Sequence, residues 1–499
     1  MRVHVTQFAR AFLALALTAA AALAQNPDSV PARFAAARDT ILAILEAERL
    51  PSVAIAVAQR GQIVWAEGFG FADRERRLRA TPETMYSLAS ISKPFTATAM
   101  MVLVERGRVD LDRPANDYLG QAQLRAFDGT AEAATVRRVM SHSAGLPLHY
   151  QFFYDGVTPP HSHDDAIARY GIIAYPPGEA YFYSNLGYGI VGHIVARLTG
   201  RTYEDAMREL VFGPLGLRNT TVSTGRELSG RAAVRYDNNL APIASYAFDH
   251  TGGSGVWSSA NDLVRFGMFH LRNVAAGPTQ ILKRATIERM QRPEAPPTSP
   301  GQSYGLGWAT LENDFGYRRV SHTGGMPGVS TVLNLYPSEE VAIVVLINKS
   351  SGAAPGRIAQ AIAAAALPAY QPVRGIVGAS SAITPASGVV GNWSGRVLVL
   401  ADTLPFTLSV EANGSVRARL GTTETSVAGA ALNSGGWFTG RFNAPLRAAD
   451  ATPAADRERI VVNFALRRRG DQLTGWASAV TQGPVAYGAV SYRAELRRN

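Results

Sequence analysis

The stretch SLASISKPFTATAM, residues 87–100, decides the fold. Proline lacks a backbone N–H and fits an α-helix only in its first turn. Pro94 therefore predicts a helix that begins at about residues 90 to 92 and continues through residues 95–104. Ser90 then lies at the N-terminus of this helix, and Lys93 follows three residues later on the same face.

Lys93 is one of only three lysines among the 49 basic residues of the chain, so arginine is the usual cation here. The helix dipole disfavours an ammonium group at this position, and apolar neighbours predict burial, which lowers the pKa of a lysine. To act as a base near pH 7, the lysine pKa must fall by about 3 units, equivalent to about 4 kcal/mol. Because arginine does not lose its proton in this way, the lysine predicts a base beside a nucleophilic Ser90.

The Ser-x-x-Lys pair resembles the serine β-lactamase and penicillin-binding-protein superfamily, in its class C and D,D-peptidase branch. The resemblance covers about residues 30–366. It implies a Tyr-x-Asn element, present as Tyr183-Ser184-Asn185, and a Lys-Thr-Gly or His-Thr-Gly strand, present as His322-Thr323-Gly324. The stretches GRVDLDRPANDYL, VMSHSAGLP, GGSGVWSSANDLVRF and YGLGW also look like the family.

The resemblance gives each motif residue an expected role. Tyr183 would be a second base that shares the proton with Lys93. Asn185 would orient the lysine or hold a substrate carbonyl, and the strand of His322, Thr323 and Gly324 would line the site edge, where an extended substrate could pair. Backbone N–H groups of Ser90 and Gly325 would form the oxyanion hole, in which one donor is typically worth about 2.7–4 kcal/mol. Taken singly, Tyr183 could be a core aromatic, Asn185 a helix cap and His322 an edge-strand residue.

The order of elements predicts an α+β catalytic domain over residues 25–366. A helix at residues 31–48 and a hairpin around Gly61 come first, helical segments fill the middle, and two strands and a final helix at residues 358–366 close the domain. This order predicts one antiparallel sheet built from both ends of the domain, with a helical insertion between them.

A second domain is predicted over residues 389–499, after a Pro/Gly/Ser/Ala linker at residues 367–388. Beyond the linker, apolar residues alternate with a period of two. The pattern predicts an antiparallel meander of about eight short strands, most simply a closed barrel, because closure removes exposed edges. The barrel resembles the lipocalin-like domains of some peptidases in this group, and by that analogy it would gate the site or promote oligomer formation.

Residues 1–24 have a basic start, a short apolar run and an Ala-Leu-Ala end, which together predict a cleavable signal peptide. We therefore expect a periplasmic or secreted protein, with no apolar run long enough for a transmembrane anchor. The net charge of +10 comes from dispersed arginines, and no dense basic run with aromatics predicts a nucleic-acid partner. The chain has no cysteine, so disulfides and thiolate chemistry are excluded.

Two other catalytic patterns are weaker. GQSYG, residues 301–305, matches a G-x-S-x-G elbow at Ser303 but follows a proline-rich loop instead of a buried strand. HSHDD, residues 161–165, has part of a zinc-hydrolase spacing, but we favour Asp164 as a helix cap. We expect neither a metal nor another cofactor.

The function expected from the sequence is hydrolysis of amide or ester bonds through an acyl-enzyme on Ser90. D-amino-acid peptides, including peptidoglycan stem peptides, and short-chain esters are the expected substrates. A class C-like β-lactamase is an alternative, although a mostly neutral His322 gives a weaker fixed charge than lysine for a substrate carboxylate. A non-turnover penicillin-binding sensor is the second alternative.

Overall fold

The computed structural model describes residues 30–127, 130–155, 159–271, 280–371, 388–399, 402–432, 436–446, 460–482 and 487–499. The predicted signal peptide and most of the predicted linker lie outside these residues. None of the described helices combines the length and apolar character needed to cross a membrane.

In chain order the described α-helices are α1 (Ala35–Ala47), α2 (Ser92–Glu105), α3 (Asn116–Leu119), α4 (Val136–Met140), α5 (His163–Tyr170), α6 (Asn185–Thr199), α7 (Tyr203–Met207), α8 (Thr251–Ser254), α9 (Ala260–Leu271), α10 (Arg284–Met290) and α11 (Ala354–Ala366). Short 3₁₀ helices lie at Ala32–Phe34, Ala89–Ile91 and Arg226–Leu228, and a π-helix lies at Arg208–Phe212.

The strands that precede the barrel are β1 (Ser52–Gln59), β2 (Gln62–Asp73), β3 (Leu78–Arg79), β4 (Met85–Ser87), β5 (Arg125–Ala126), β6 (Tyr150–Tyr154), β7 (Ile172–Ile173), β8 (Thr220–Val222), β9 (Tyr246–Phe248), β10 (Val256–Ser259), β11 (Gln302–Tyr304), β12 (Ala309–Asp314), β13 (Tyr317–Met326), β14 (Val329–Tyr336) and β15 (Val341–Ile347). The barrel strands are β16 (Gly391–Val399), β17 (Asp402–Val410), β18 (Val416–Leu420), β19 (Thr423–Ser426), β20 (Ala428–Leu432), β21 (Trp437–Asn443), β22 (Val461–Arg469), β23 (Gln472–Gln482) and β24 (Tyr487–Arg498).

One eight-stranded sheet organises the first domain, in the order β11-β12-β13-β14-β15-β1-β2-β3. Strand β1 pairs antiparallel with β15, so the two ends of the domain lie side by side. This confirms the predicted sheet built from both ends with helices inserted between them. The insertion contributes α2 to α10. Helix α2 packs against α6 and α8, and the 3₁₀ turn before α2 packs against β13, which together position the site.

Strand β1 separates two cores because its side chains alternate between the two faces of the sheet. Val53, Ile55 and Val57 pack on one face with α1 and α11, and the alanines between them pack on the other face with α9. Gly267 allows α9 to lie close to the adjacent strand β15, since a Cβ on it would lie 3.1 Å from the Cβ of Ala342. The sheet is therefore covered on both faces, which explains why β14 and β15 are buried along their whole length and why β15 is entirely apolar.

The second domain is an antiparallel, nearly closed barrel of nine described strands, one more than expected. Each strand pairs with its chain neighbours from β16 to β19 and from β20 to β24, and β16 pairs with β24. Among the described strands the ring is open only between β19 and β20, which Val427 joins. Aromatic side chains fill the interior, including Trp393, Phe406 and Phe464.

The barrel is hydrogen-bonded to the first domain. Strand β6, which belongs to the helical insertion, pairs with residues 487–489 of β24 on one side and with β9 on the other. The two domains therefore share one continuous 11-stranded sheet.

Candidate active site

Ser90 lies in the 3₁₀ helix that leads directly into α2, as Pro94 predicts. The residue before it, Ala89, has a φ of 48°, in the left-handed region that costs a non-glycine residue about 1–3 kcal/mol. This strained turn leaves the Ser90 side chain half-buried, while its neighbours Ala89 and Ile91 are buried. Ser90 is therefore a partly accessible polar group among buried residues at the start of α2.

Lys93 is completely buried one turn below the serine. Its Nζ lies 3.1 Å from Ser90 Oγ, 2.8 Å from Asn185 Oδ1 and 3.0 Å from the carbonyl oxygen of Gly253. Burial lowers the pKa of Lys93 well below its usual 10.5. The environment therefore favours a neutral amine in contact with the serine hydroxyl.

Asn185 is the first residue of α6, and its amide oxygen accepts a hydrogen bond from Lys93. The helix is capped by the preceding residue, because Ser184 Oγ accepts a 2.9 Å hydrogen bond from the Gly187 N–H. The alternative role of Asn185 as the helix cap is therefore wrong. Its side chain is left available to hold the lysine.

Tyr183 lies beside the same serine, whose side chain acts on the pKa of the phenol as a hydrogen-bonding neighbour and lowers it. Lys93 Nζ lies 4.7 Å from the centre of the Tyr183 ring, so the amine faces the ring and not the hydroxyl. Burial raises the pKa of Tyr183, which does not favour the expected role of this residue as a second base. In this geometry the phenol keeps its proton, and Lys93 is the better base.

His322 is buried on β13, and both of its ring nitrogens are engaged. Nε2 lies 2.9 Å from the Tyr304 hydroxyl, and Nδ1 lies 2.7 Å from the carbonyl oxygen of Thr323. Because a carbonyl only accepts, Nδ1 carries the proton and Nε2 accepts from Tyr304. Burial, aided by Lys93, lowers the pKa of His322 to about 3, so the imidazole is neutral at pH 7.

The other residues of this strand form an edge beside the serine. Gly324 packs against the turn that carries Ser90, because a Cβ on it would lie 2.1 Å from the Leu88 carbonyl oxygen. Thr323 and Gly325 are exposed, and a Cβ on Gly325 would meet no atom within 4 Å. The described pairing of β12 with β13 stops at Ser321, so an extended substrate has room along this edge.

Several residues of the site lacked an assigned role in the sequence. The carbonyl of Gly253 accepts a hydrogen bond from Lys93, and the hydroxyl of Tyr304 is hydrogen-bonded to His322. His142 accepts a hydrogen bond from the Ser184 N–H at 3.0 Å, and its ring centre lies 4.4 Å from that of Tyr183. Gly253, Tyr304 and His142 lie in the family-like stretches GGSGVW, YGLGW and VMSHSAGLP. Their place in these stretches was the feature of the sequence that could have linked them to the site.

The two weaker patterns lie elsewhere. Ser303 is on the edge strand β11, where its hydroxyl donates to the Ala295 carbonyl. The cap of α5 is Ser162, and Asp164 lies in the first turn of that helix with its carboxylate 3.3 Å from His193 Nε2. The expectation that Asp164 caps this helix is wrong. The described residues contain no group of three or more His, Asp or Glu side chains arranged to hold a metal ion.

Residues 37–367 match the family model described as Beta-lactamase. The chain belongs to the β-lactamase family. This match covers about two thirds of the chain and contains all three motifs. This confirms the predicted serine β-lactamase and penicillin-binding-protein superfamily.

Individual relatives are distant. The protein is 24% identical over 314 residues to "Protein flp" of Staphylococcus aureus. The aligned region covers 62% of this chain and 61% of the relative, so the chain spans about three fifths of that protein. A penicillin-binding protein homologue from Pyrococcus abyssi, described as octameric, superposes with a TM-score of 0.58 at 21% identity, covering 92% of this chain and 99% of that one. A β-lactamase/D-alanine carboxypeptidase from Pseudomonas syringae has a TM-score of 0.59 at 20% identity, covering 68% and 100%.

Proposed function

We propose that this protein is an exported serine hydrolase that cleaves amide or ester bonds through an acyl-enzyme on Ser90. The observation that carries the proposal is the 3.1 Å contact between the Nζ of the fully buried Lys93 and the Oγ of the half-buried Ser90. A buried amine without a compensating charge favours its neutral form, and a neutral amine accepts a proton.

The proton path follows from the protonation of the two neighbours. Lys93 takes the hydrogen of Ser90 as the serine oxygen attacks the substrate carbonyl. Tyr183 still holds its proton and lies beside the same serine, so it donates to the departing amine or alkoxide. Water then attacks the acyl group, and the same groups act in reverse.

The substrate carbonyl would be held by backbone N–H groups of Ser90 and Gly325, as the family resemblance implies. The extended chain of the substrate would lie along Thr323 to Gly325 and add to the edge of β13. Asn185 keeps the lysine aimed at the serine. These assignments agree with the open space beside Gly325 and the close packing of Gly324.

Among acyl substrates, we propose D-amino-acid peptides or short-chain esters ahead of β-lactams. His322 is neutral and held by Tyr304, so it offers no fixed positive charge for a substrate carboxylate, which β-lactams carry and which esters and peptides without a free C-terminus lack. The name of the Pseudomonas syringae neighbour pairs β-lactamase with D-alanine carboxypeptidase, which is compatible with peptide substrates in this fold.

Export and assembly complete the proposal. The pattern of residues 1–24 supports delivery to the periplasm or medium, where peptidoglycan stem peptides would be available. The octameric neighbour shares nearly the full length of the chain, including the barrel, and supports an oligomer as the assembly to test.

Turnover of a substrate panel tests the proposal. Purified protein would be assayed with p-nitrophenyl acetate, a D-alanyl-D-alanine peptide and nitrocefin, beside Ser90→Ala. We expect steady turnover of the ester or the peptide, and loss of that turnover with the serine variant. One burst per site followed by arrest would favour the sensor, and unchanged turnover by Ser90→Ala would overturn the nucleophile.

A further inference from the structure

The segment that leads into Tyr183 lies against the outside of the barrel. The ring centre of Phe182 is 4.3 Å from that of Trp437 in an edge-to-face arrangement, and Tyr175 contacts the same indole at 5.0 Å. Trp437 is the first residue of β21 and is only 4% exposed. Aromatic pairs in this geometry are worth about 0.5–1.5 kcal/mol beyond their buried area.

Charged side chains of two further barrel strands, β22 and β24, bind the same segment. The carboxylate of Glu179 is bonded by Arg467 and, at 2.8 Å, by Arg469, and both arginines lie on β22. The buried guanidinium of Arg493, on β24, donates to the Ala174 carbonyl at 2.8 Å. Three barrel strands therefore contact the short segment between Ala174 and Tyr183.

The residues on either side of Tyr183 are fixed on their other side by His142. The Phe182 N–H donates to the His142 carbonyl at 2.7 Å, and the Ser184 N–H donates to His142 Nδ1 at 3.0 Å. Phe182 is thus held between the barrel indole and the backbone of the catalytic domain. A shift of Phe182 would be passed directly to the next residue, Tyr183.

We propose that Trp437 is a positioning residue for the reaction: it holds Phe182 so that the Tyr183 hydroxyl remains beside the Ser90 side chain. This inference rests on the proposed function and gives the barrel a role within its own chain. A misplacement of about 1 Å in a reacting group typically costs about a hundredfold in rate. The barrel therefore contributes to proton transfer without contacting the substrate.

The leaving group provides a readout that general loss of structure would not produce. An ethyl ester must receive a proton as its alkoxide departs, whereas the p-nitrophenolate of the matching aryl ester departs without one. If Trp437 acts through Tyr183, Trp437→Ala lowers kcat for the ethyl ester by about tenfold or more and for the aryl ester by less than about threefold. KM changes little for both, and Trp437→Phe restores most of the loss.

Phe438→Leu is the matched control. Phe438 follows Trp437 on β21 but is fully buried in the barrel interior, so its substitution destabilises the barrel and leaves the indole on Phe182. We expect this variant to unfold at a lower temperature and to keep the ratio of the two ester rates. The positioning role would be wrong if Phe438→Leu and Trp437→Ala changed that ratio equally, or if Trp437→Ala left it unchanged.

Two further measurements cover the remaining outcomes. If Trp437→Ala does not fold, Glu179→Gln weakens the other attachment and must shift the ester ratio in the same direction, or the inference fails. Hydrogen exchange at the Phe182 and Ser184 amides, both bonded to His142, needs no substrate and must accelerate in Trp437→Ala. Absence of turnover by the wild type with accelerated exchange would therefore refute the proposed function alone, and unchanged exchange would refute the positioning role.

Discussion

Lys93 and Ser90 are joined by a 3.1 Å hydrogen bond, and among the described residues no carboxylate lies within ion-pair distance of the lysine. Its other partners are an amide oxygen and a backbone carbonyl, which are neutral. A buried ammonium without a counter-charge is costly, so the group responds by releasing its proton. The buried position of Lys93 among neutral partners therefore also explains why its side chain favours the neutral form.

Replacement of the lysine by arginine separates charge from basicity. We expect Lys93→Arg to lower the rate of Ser90 acylation by about 10²-fold to 10⁴-fold, because a guanidinium stays protonated and cannot act as the base. The measurement is the burst rate with p-nitrophenyl acetate. Lys283→Arg, at an exposed position, is the matched control and should acylate at the wild-type rate. Equal rates for the two variants would exclude Lys93 as the base.

The pH profile distinguishes the base from the acid. Because burial lowers the pKa of Lys93, kcat/KM should rise with pH through a midpoint well below 10.5. Burial raises the pKa of Tyr183, so the fall at alkaline pH should begin only above the ordinary pKa of 10.0 for a phenol. Tyr183→Phe should remove the alkaline fall and keep the acid limb. An acid limb that disappears in Tyr183→Phe would instead assign the base to the tyrosine.

Two adjacent glycines predict opposite results on substitution. In Gly324→Ala the new Cβ would lie 2.1 Å from the Leu88 carbonyl oxygen and 2.3 Å from Thr331 Oγ1. Both neighbours are held in the fold, so we expect a loss of about 1–3 kcal/mol or more in unfolding free energy by urea denaturation. Gly325→Ala has no atom within 4 Å of its Cβ and should unfold like the wild type, but its methyl group should raise KM. Equal unfolding midpoints would contradict the packing at Gly324.

Local patterns were enough to predict the start of α2, the pairing of the terminal strands and the proximity of Ser90 to Lys93. Pro94 determines the helix start, and alternation determines which faces of a strand are buried. The role of Tyr183 was harder to predict, since its protonation depends on burial by residues distant in sequence. The contact of Lys93 with Gly253, 160 positions away, likewise exists only in the folded chain.

In the barrel, too, some features could be predicted from local sequence and others depend on the folded chain. A period of two predicts strands, but the strand count and the opening between β19 and β20 depend on register, which alternation alone leaves undetermined. The pairing of β6 with β24 joins segments from different domains and had no local signal. The attachment of Glu179 to Arg467 and Arg469 is of this kind too.

Buried neutral histidines predict a sharp loss of stability in acid. Burial lowers the pKa values of His322 and His270 to about 3 from the usual 6.5. Between these values the unfolded chain binds more protons than the folded one, so unfolding free energy falls as pH drops from 6.5 towards 3. Each such histidine contributes a slope of up to about 1.4 kcal/mol per pH unit. His270→Asn, distant from Ser90, should reduce the slope by that amount in urea titrations at stepwise pH.

The control for this slope is a neighbour that carries no titratable proton. Gln291 is buried, and its amide donates to the His270 carbonyl at 2.8 Å, so Gln291→Leu disturbs the same packing. We expect this variant to lose stability by a constant amount across pH 4 to 7, since it changes no proton uptake. His270→Asn should lose less stability than the wild type on acidification, whatever its stability at pH 7. If the stability of both variants instead ran parallel to that of the wild type across pH, His270 would bind its proton equally in the folded and unfolded chains, which would contradict the lowered pKa.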